Sequence, residues 1–359
     1  MTEHDAAVAS GGLRIGPAAA LTSALLFGAT TPIAKAFLQD AHPLLIAGLL
    51  YLGSGIGLAL WRVVQDRGWR ASGLASSDWP YLAAATIAGG VLAPALLMFG
   101  LTRSDAATAS LLLNLEAVFS AALAWMIFRE ATSRSIVGGF FAIFAGGVLL
   151  AWPPHVTVPG RTLGLCCVAA ACLCWAVDNN VTRRISAGDS RIIAGIKGLV
   201  AGGVNTALAL VLGATWPSRA DLSGTLVLGF VGYGVSLVLF IVALRHLGTA
   251  RTSAYFSTAP FIGSALSVLL YGQPISTAFY VAAVLMAVGV WLHITEQHEH
   301  EHLHEPLTHT HAHRHDAHHQ HKHGEGWDGT QPHTHEHHHV ALRHSHPHFP
   351  DIHHGHRHS

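Results

Sequence analysis

Four charged side chains fall inside segments otherwise too apolar to carry them: Lys35, Glu116, Asp178 and Lys197. A charge at lipid depth is expensive, so each is a candidate for binding or coupling chemistry. Asp178 opens the run DNNVTRR, and Lys197 lies in AGIKGLVAGGVN. A carboxylate beside an ammonium offsets much of the cost of burying either, and the same pair can receive the charged ends of a polar solute. Asn179, Asn180 and Asn205 add donors and acceptors to this set, and Asn114 does so beside Glu116. Two readings stay open. The groups line a cavity for a charged or zwitterionic solute, or Asp178 and Lys197 are an ion pair that only joins two helices. Glu116 likewise is either a proton-exchanging carboxylate or a hydrogen-bonding group that holds a neighbouring helix. Lys35 is expected to snorkel to the headgroups. Trp125, Trp175 and Tyr255 read as packing residues that could flank a cavity.

A different chemistry fills the C-terminal stretch, where 24 of the 29 histidines lie between His298 and His358. They alternate with polar residues in HEHEHLHEP, HTHAHRH and HTHEHHH. Neutral imidazole is a good ligand for nickel, zinc, cobalt and copper. His300, His302, His304, His309, His311, His313, His315, His335, His337, His338 and His339 are therefore candidate metal ligands. No hydrophobic periodicity exists to build a core there, and the tail is expected to be disordered. It is read as a metal buffer, sensor or feeder, or as a flexible tail with incidental metal affinity. Nothing in the rest of the chain requires a cofactor.

The elements that position these groups follow from composition. Hydrophobic residues make up 51% of the chain and charged residues only 11%, against about 25% in soluble domains. The excess is concentrated in residues 17–294. Twenty basic residues balance twenty acidic ones, so no basic face points to nucleic acid. Cys166, Cys167, Cys172 and Cys174 crowd one apolar segment and read as reduced packing residues rather than a disulfide framework. The first apolar segment is expected to be a retained helix, not a removed signal peptide.

Ten bilayer-length segments are predicted, near 17–38, 43–64, 79–101, 106–128, 134–152, 162–184, 191–213, 223–245, 250–271 and 275–294. With a cytoplasmic N-terminus, the inner loops hold eleven arginines (Arg14, Arg62, Arg67, Arg70, Arg129, Arg134, Arg183, Arg184, Arg191, Arg245, Arg251) and the outer loops three (Arg103, Arg161, Arg219). That bias puts both termini inside. Trp61, Trp79, Trp152 and Trp216 sit at segment ends, as an interfacial belt should. Residues 97–133 lie over 240–276 with Leu101, Ala107, Ser110, Ala122, Leu123 and Ser133 recurring at one offset. Five spans per half is odd, so the second copy inserts upside down, with the solute site near the midplane between halves. Gly53 and Gly57, and Gly198 and Gly202, read as helix-packing positions.

The fourth span, LLLNLEAVFSAALAWMIFRE, carries Leu115-Glu116-Ala117 and ends at Phe128-Arg129-Glu130. With the five-plus-five plan, it resembles the EamA-type family of the drug/metabolite transporter superfamily. There a Leu-Glu-Pro stands in the fourth helix; Ala117 departs from it, while Pro260 stands at the matching place in the second half. The resemblance covers 17–294. It implies an all-α integral membrane protein of two inverted five-helix repeats, 17–152 and 162–294, joined by an outer loop at 153–161. It also implies a bacterial inner-membrane exporter or exchanger of small polar metabolites or drugs, working by alternating access. Expected partners are a small-molecule substrate, the lipid bilayer and, at the tail (295–359), transition-metal ions; a homodimer is a further option. A nickel, cobalt or zinc transporter, or a metal-reading membrane protein, is the alternative carried by the tail. No paired catalytic motif and no Walker A loop appears, so neither an enzyme nor that kind of ATP-driven pump is expected.

Overall fold

The computed structural model describes residues 3–39, 41–66, 74–128, 134–151, 160–182, 185, 189–272 and 275–295, and the backbone of four tail strands at 298–304, 307–313, 333–339 and 342–348. The helices of the first half are α1 (Glu3–Phe37), α2 (Pro43–Asp66), α3 (Trp79–Ala85), α4 (Ala93–Arg103), α5 (Ala106–Leu112), α6 (Leu115–Phe128) and α7 (Arg134–Ala151). Those of the second half are α8 (Arg161–Thr182), α9 (Ser190–Val211), α10 (Arg219–Gly229), α11 (Ser236–Phe256), α12 (Ala259–Tyr271) and α13 (Thr277–Ile294). Six helices are long and apolar enough to cross a membrane among the described residues. Four further apolar helices, at Ala106–Ser120, Val137–Ala151, Ala259–Tyr271 and Thr277–Leu292, are shorter. Large apolar side chains cover the outside, with Val211 83% and Leu269 80% exposed. Such a surface is suited to lipid and not to water.

Two departures from regular helix recur in both halves. A seven-residue π-helical stretch, Thr86–Leu92, joins α3 to α4, and a six-residue one, Phe230–Val235, joins α10 to α11. A turn at Leu113–Asn114 then separates α5 from α6, and one at Ser257–Thr258 separates α11 from α12. At the first turn the Asn114 amide donates to the Leu111 carbonyl (2.9 Å), a local bond that competes with helix continuation. At the second, Pro260 sits in the first turn of α12, where its missing N–H costs nothing. The predicted break between spans at 245–250 is therefore displaced: α11 runs unbroken to Phe256. Gly248 is the weak breaker there, and a single glycine costs only about 1 kcal/mol in a helix.

The halves interleave reciprocally. α1 packs on α11 and α12, and α8 packs on α4 and α6, so the first helix of each half lies against the π-bulged and turn-broken helices of the other. α2 packs on α9, α5 on α12, and α7 on α13. Glycines make the α2–α9 approach close. A Cβ added at Gly198 would stand 2.7 Å from both the Cα and the N of Gly55. Gly53 and Gly57 do the same on another face of α2, meeting the Leu226 backbone and the Phe230 ring.

The tail forms a separate unit, 297–357. Its expected disorder is not what the described residues show. β1 (His298–His304) pairs antiparallel with β4 (Leu342–His348), and β2 (Leu307–His313) with β3 (His333–His339). The physical reason lies in the alternation itself: His-X-His-X has the period of two that extended backbone presents.

Backbone contact at Gly198 predicts that Gly198→Val destabilises the protein by about 1–3 kcal/mol through overpacking. Gly203→Ala, where nothing lies within 4 Å of an added Cβ, stays near wild type. Thermal unfolding of both variants in detergent checks the contrast.

Candidate functional site

The first π-helical stretch organises the centre of the molecule. A π turn releases carbonyls from the regular helical ladder, and such carbonyls need other donors. Gly89 O accepts from the Tyr51 hydroxyl on α2 (2.7 Å) and from Trp175 Nε1 on α8 (3.0 Å). Asn205 on α9 donates from Nδ2 to Val91 O (3.1 Å) and, more weakly, Gly90 O (3.4 Å). Three helices are thus tied to one segment.

Asp178 sits directly against that segment. A Cβ on Gly89 would collide with its carboxylate, so only glycine admits the side chain there. Lys197 Nζ bonds both carboxylate oxygens of Asp178, at 2.6 Å each, and Thr182 Oγ1 donates to Oδ1 (2.8 Å). The pair is buried, with side-chain exposures of 15% for Lys197 and 8% for Asp178. Asn179, the next residue, donates from Nδ2 to Glu116 Oε1 (2.7 Å), which joins the second half to the first. Glu116 also lies within electrostatic reach of Asp178, Tyr51 and Tyr233. Protein surrounds Glu116 and both tyrosines, yet each keeps some accessible surface.

Of the residues singled out in the sequence, the structure brings Asp178, Asn179, Lys197 and Glu116 together. Asn180 donates to Ser120 O (3.3 Å) and to Ala176 O (2.8 Å), tying α8 to α6. Asn205 holds the π segment, and Asn114 holds the α5–α6 turn with its amide 4.0 Å from Met286 Sδ. Trp175 is more than packing, since its ring N–H holds Gly89. Tyr255 packs beside Ala19, Ala20 and Ala243. Tyr51, Tyr233 and Gly89 were not legible as site residues: two tyrosines and a glycine in apolar runs carry no charge signal. All four cysteines are free.

Lys35 does not snorkel to headgroups. Its ammonium donates to the carbonyls of Leu101 and Ser104 (2.8 Å to the latter). The last carbonyls of a helix lack intrahelical partners and carry the negative end of its dipole, so the C-terminal end of α4 holds the cation. Among the described residues no three His, Cys, Asp or Glu side chains gather as a metal ion would need. In the tail strands, His300, His302, His309, His311, His313, His335 and His337 each stand opposite another histidine in register. His304, His338 and His339 stand opposite Leu342, Thr308 and Leu307. His315, Trp152, His155, Arg67, Arg70, Arg129, Glu130, Arg183 and Arg184 lie outside the described residues, as do the side chains of Trp125, Arg134, Arg245 and Arg251.

Removing one partner of a buried pair leaves an uncompensated charge, worth about 3–5 kcal/mol. Asp178→Asn and Lys197→Met are each expected to destabilise by that order, and the double variant by clearly less than their sum; unfolding in detergent measures the cycle. Lys35→Met is expected to lose about 1–2 kcal/mol from α4 capping, read as a lower unfolding midpoint under the same conditions.

The EamA-like transporter family model matches this chain twice, over residues 14–152 and 162–295. An "Uncharacterized transporter" of Methanothermobacter thermautotrophicus is 26% identical over 291 residues, covering 76% of this chain and 84% of that protein. An "Uncharacterized transporter" of Clostridium kluyveri is 23% identical over 243 residues, covering 66% and 78%. A solved crystal structure matches with TM-score 0.59 at 19% identity, over 77% of this chain and 95% of its own, which speaks for the fold. With the family model matched across both halves of its helical region, the chain belongs to the EamA-like transporter family.

Proposed function

We propose that this multi-pass membrane transporter is a secondary exporter of small polar metabolites or drugs, driven without ATP by alternating access of two inverted five-helix halves. The membrane in this reading is the bacterial inner membrane, with both termini in the cytoplasm as the arginine bias predicts. One observation supports the reading: the buried Asp178–Lys197 pair lies beside the Asn179–Glu116 bond that crosses between the halves, where Asn179 and Glu116 keep accessible surface.

The charges favour a class of solute. The described cluster holds two carboxylates, Asp178 and Glu116, against one ammonium, Lys197. A solute bearing an amino group completes that balance, and a zwitterion can replace each partner of the ion pair in turn. Tyr51, Trp175 and Tyr233 supply ring faces nearby, which attract cations. Glu116 in this reading exchanges a proton when the solute leaves. A nickel, cobalt or zinc cargo, or metal sensing, rests on the tail alone, where histidines stand opposite one another.

Proteoliposomes of the full-length protein, loaded with a panel of unlabelled amino acids and small amines, are expected to show counterflow of a labelled member above empty liposomes. Loss of a charge-assisted hydrogen bond is worth about 1.5–3 kcal/mol. Asp178→Asn and Glu116→Gln should therefore lower apparent affinity roughly 10- to 100-fold. Wild-type counterflow in both folded variants would remove these residues from the transport path. Unchanged counterflow after truncation at Glu296 is the result expected for an organic solute, and its loss would favour the metal reading.

A further inference from the structure

We propose that the groove between the start of α2 and the end of α4 is a binding site for one anionic glycerophospholipid, whose phosphate is held by Arg103. The groove offers about 700 Å³, a volume of ligand size. Its floor is apolar, with Leu44 from α2 and Leu92, Ala95 and Leu96 from the other side. Its rim is polar, with His42 just ahead of α2 and Arg103 at the last position of α4. An apolar floor under a cationic rim matches the two parts of a phospholipid.

Arg103 is held in place without being neutralised. Its guanidinium lies over the Phe99 ring, 3.9 Å from the centroid, and Phe99 also lines the groove. Its stem passes the start of α8, where a Cβ added at Gly160 would stand 3.3 Å from the Arg103 Cδ. Among the described residues it makes no hydrogen bond and no ion pair. The neighbouring carboxylate is engaged elsewhere, since Asp105 Oδ1 accepts from the Thr108 N–H (2.7 Å) as the N-cap of α5. Lys35 is engaged too, on the carbonyls of Leu101 and Ser104. The guanidinium therefore keeps its donors for a partner, and a phosphodiester accepts two of them in the forked geometry that arginine favours. Across the rim, His42 is exposed and its ring carries an N–H in either tautomer.

The floor decides where the phosphate comes from. Leu92 is 47% and Phe99 36% exposed, within a stretch, Ser76–Arg103, apolar enough to cross a membrane. A free phosphate gains nothing from that surface, whereas acyl chains cover it. Arg103 closes the stretch, at the level where a long basic side chain reaches headgroups. A zwitterionic headgroup would bring a second cation beside the guanidinium, and an anionic one does not. The groove also reaches Leu92, the last residue of the first π-helical stretch. A lipid seated there braces the segment whose carbonyls organise the candidate site. The inference needs the chain to lie in a membrane and does not rest on the transport reading.

The test titrates full-length protein in detergent with phosphatidylglycerol or with phosphatidylcholine of the same acyl chains. Native mass spectrometry counts retained lipid, and the unfolding midpoint reports its stabilising effect. Wild type is expected to hold one phosphatidylglycerol about tenfold or more tightly than phosphatidylcholine. Arg103→Gln should abolish that preference while leaving the lipid-free midpoint near wild type, because no partner within the described residues is lost. Ala95→Phe keeps every charge and fills the floor, and should also lose the retained lipid. Arg219→Gln removes an exposed cation at the start of α10 and should keep the preference within about twofold. Inorganic phosphate should not displace the lipid. An unchanged preference in Arg103→Gln or in Ala95→Phe would overturn the site, as would an equal loss in Arg219→Gln or no preference in wild type. Displacement by phosphate would overturn the lipid as its occupant.

Discussion

A helix carbonyl at membrane depth must find a donor inside the protein, because no water is there to supply one. The π-helical stretch Thr86–Leu92 creates that demand in the middle of the molecule, and the answer sets much of the core. Tyr51 and Trp175 reach Gly89 O from α2 and α8, and Asn205 reaches the next carbonyls from α9. Those bonds set where α8 lies along the segment. The position of α8 in turn brings Asp178 against the bare Cα of Gly89 and within reach of Lys197. The site residue and the irregular backbone are two sides of one constraint. A side chain at Gly89 would displace the carboxylate, and a regular helix there would leave Tyr51 and Trp175 without their acceptor.

The interleaving of halves gives this constraint a long reach. α1 lies on the bulged and broken helices of the second half, and α8 lies on those of the first. Each half therefore helps cover the irregular segments of the other. Ser23 on α1 donates to Ser236 O (2.6 Å) just beyond the second π stretch, and Ser236 turns its hydroxyl back to Gly232 O. Small residues let the backbones come this near: Gly28 meets Ala259, Gly53 meets Leu226, and Gly229 meets Leu50. Close backbone approach replaces the hydrophobic drive that is missing between helices in lipid. A change in how the halves meet must therefore be felt at the Glu116–Asn179 bond, which crosses between them.

The tail obeys different physics within the same chain. Its described residues pair as antiparallel strands in one register, and the alternation of histidine with other residues has the period that extended backbone presents.

The sequence by itself determined which stretches are too apolar for water and which charges stand out within them, since both are local properties of composition. Asp178, Lys197 and Glu116 were legible for that reason, and so was the family pattern around Leu115-Glu116. Residues 106–128 read as one span, yet Asn114 interrupts the helix; 250 read as a helix start, yet α11 runs through it to Phe256. Lys35 looked like a headgroup-seeking lysine until the end of α4 stood beside it. Tyr51, Tyr233 and Gly89 join the candidate site only in three dimensions. Hydropathy records how costly a group is to bury. Which carbonyl a π turn leaves free, and which distant hydroxyl, indole or ammonium meets it, depends on how separate helices pack, and only the tertiary structure decides that.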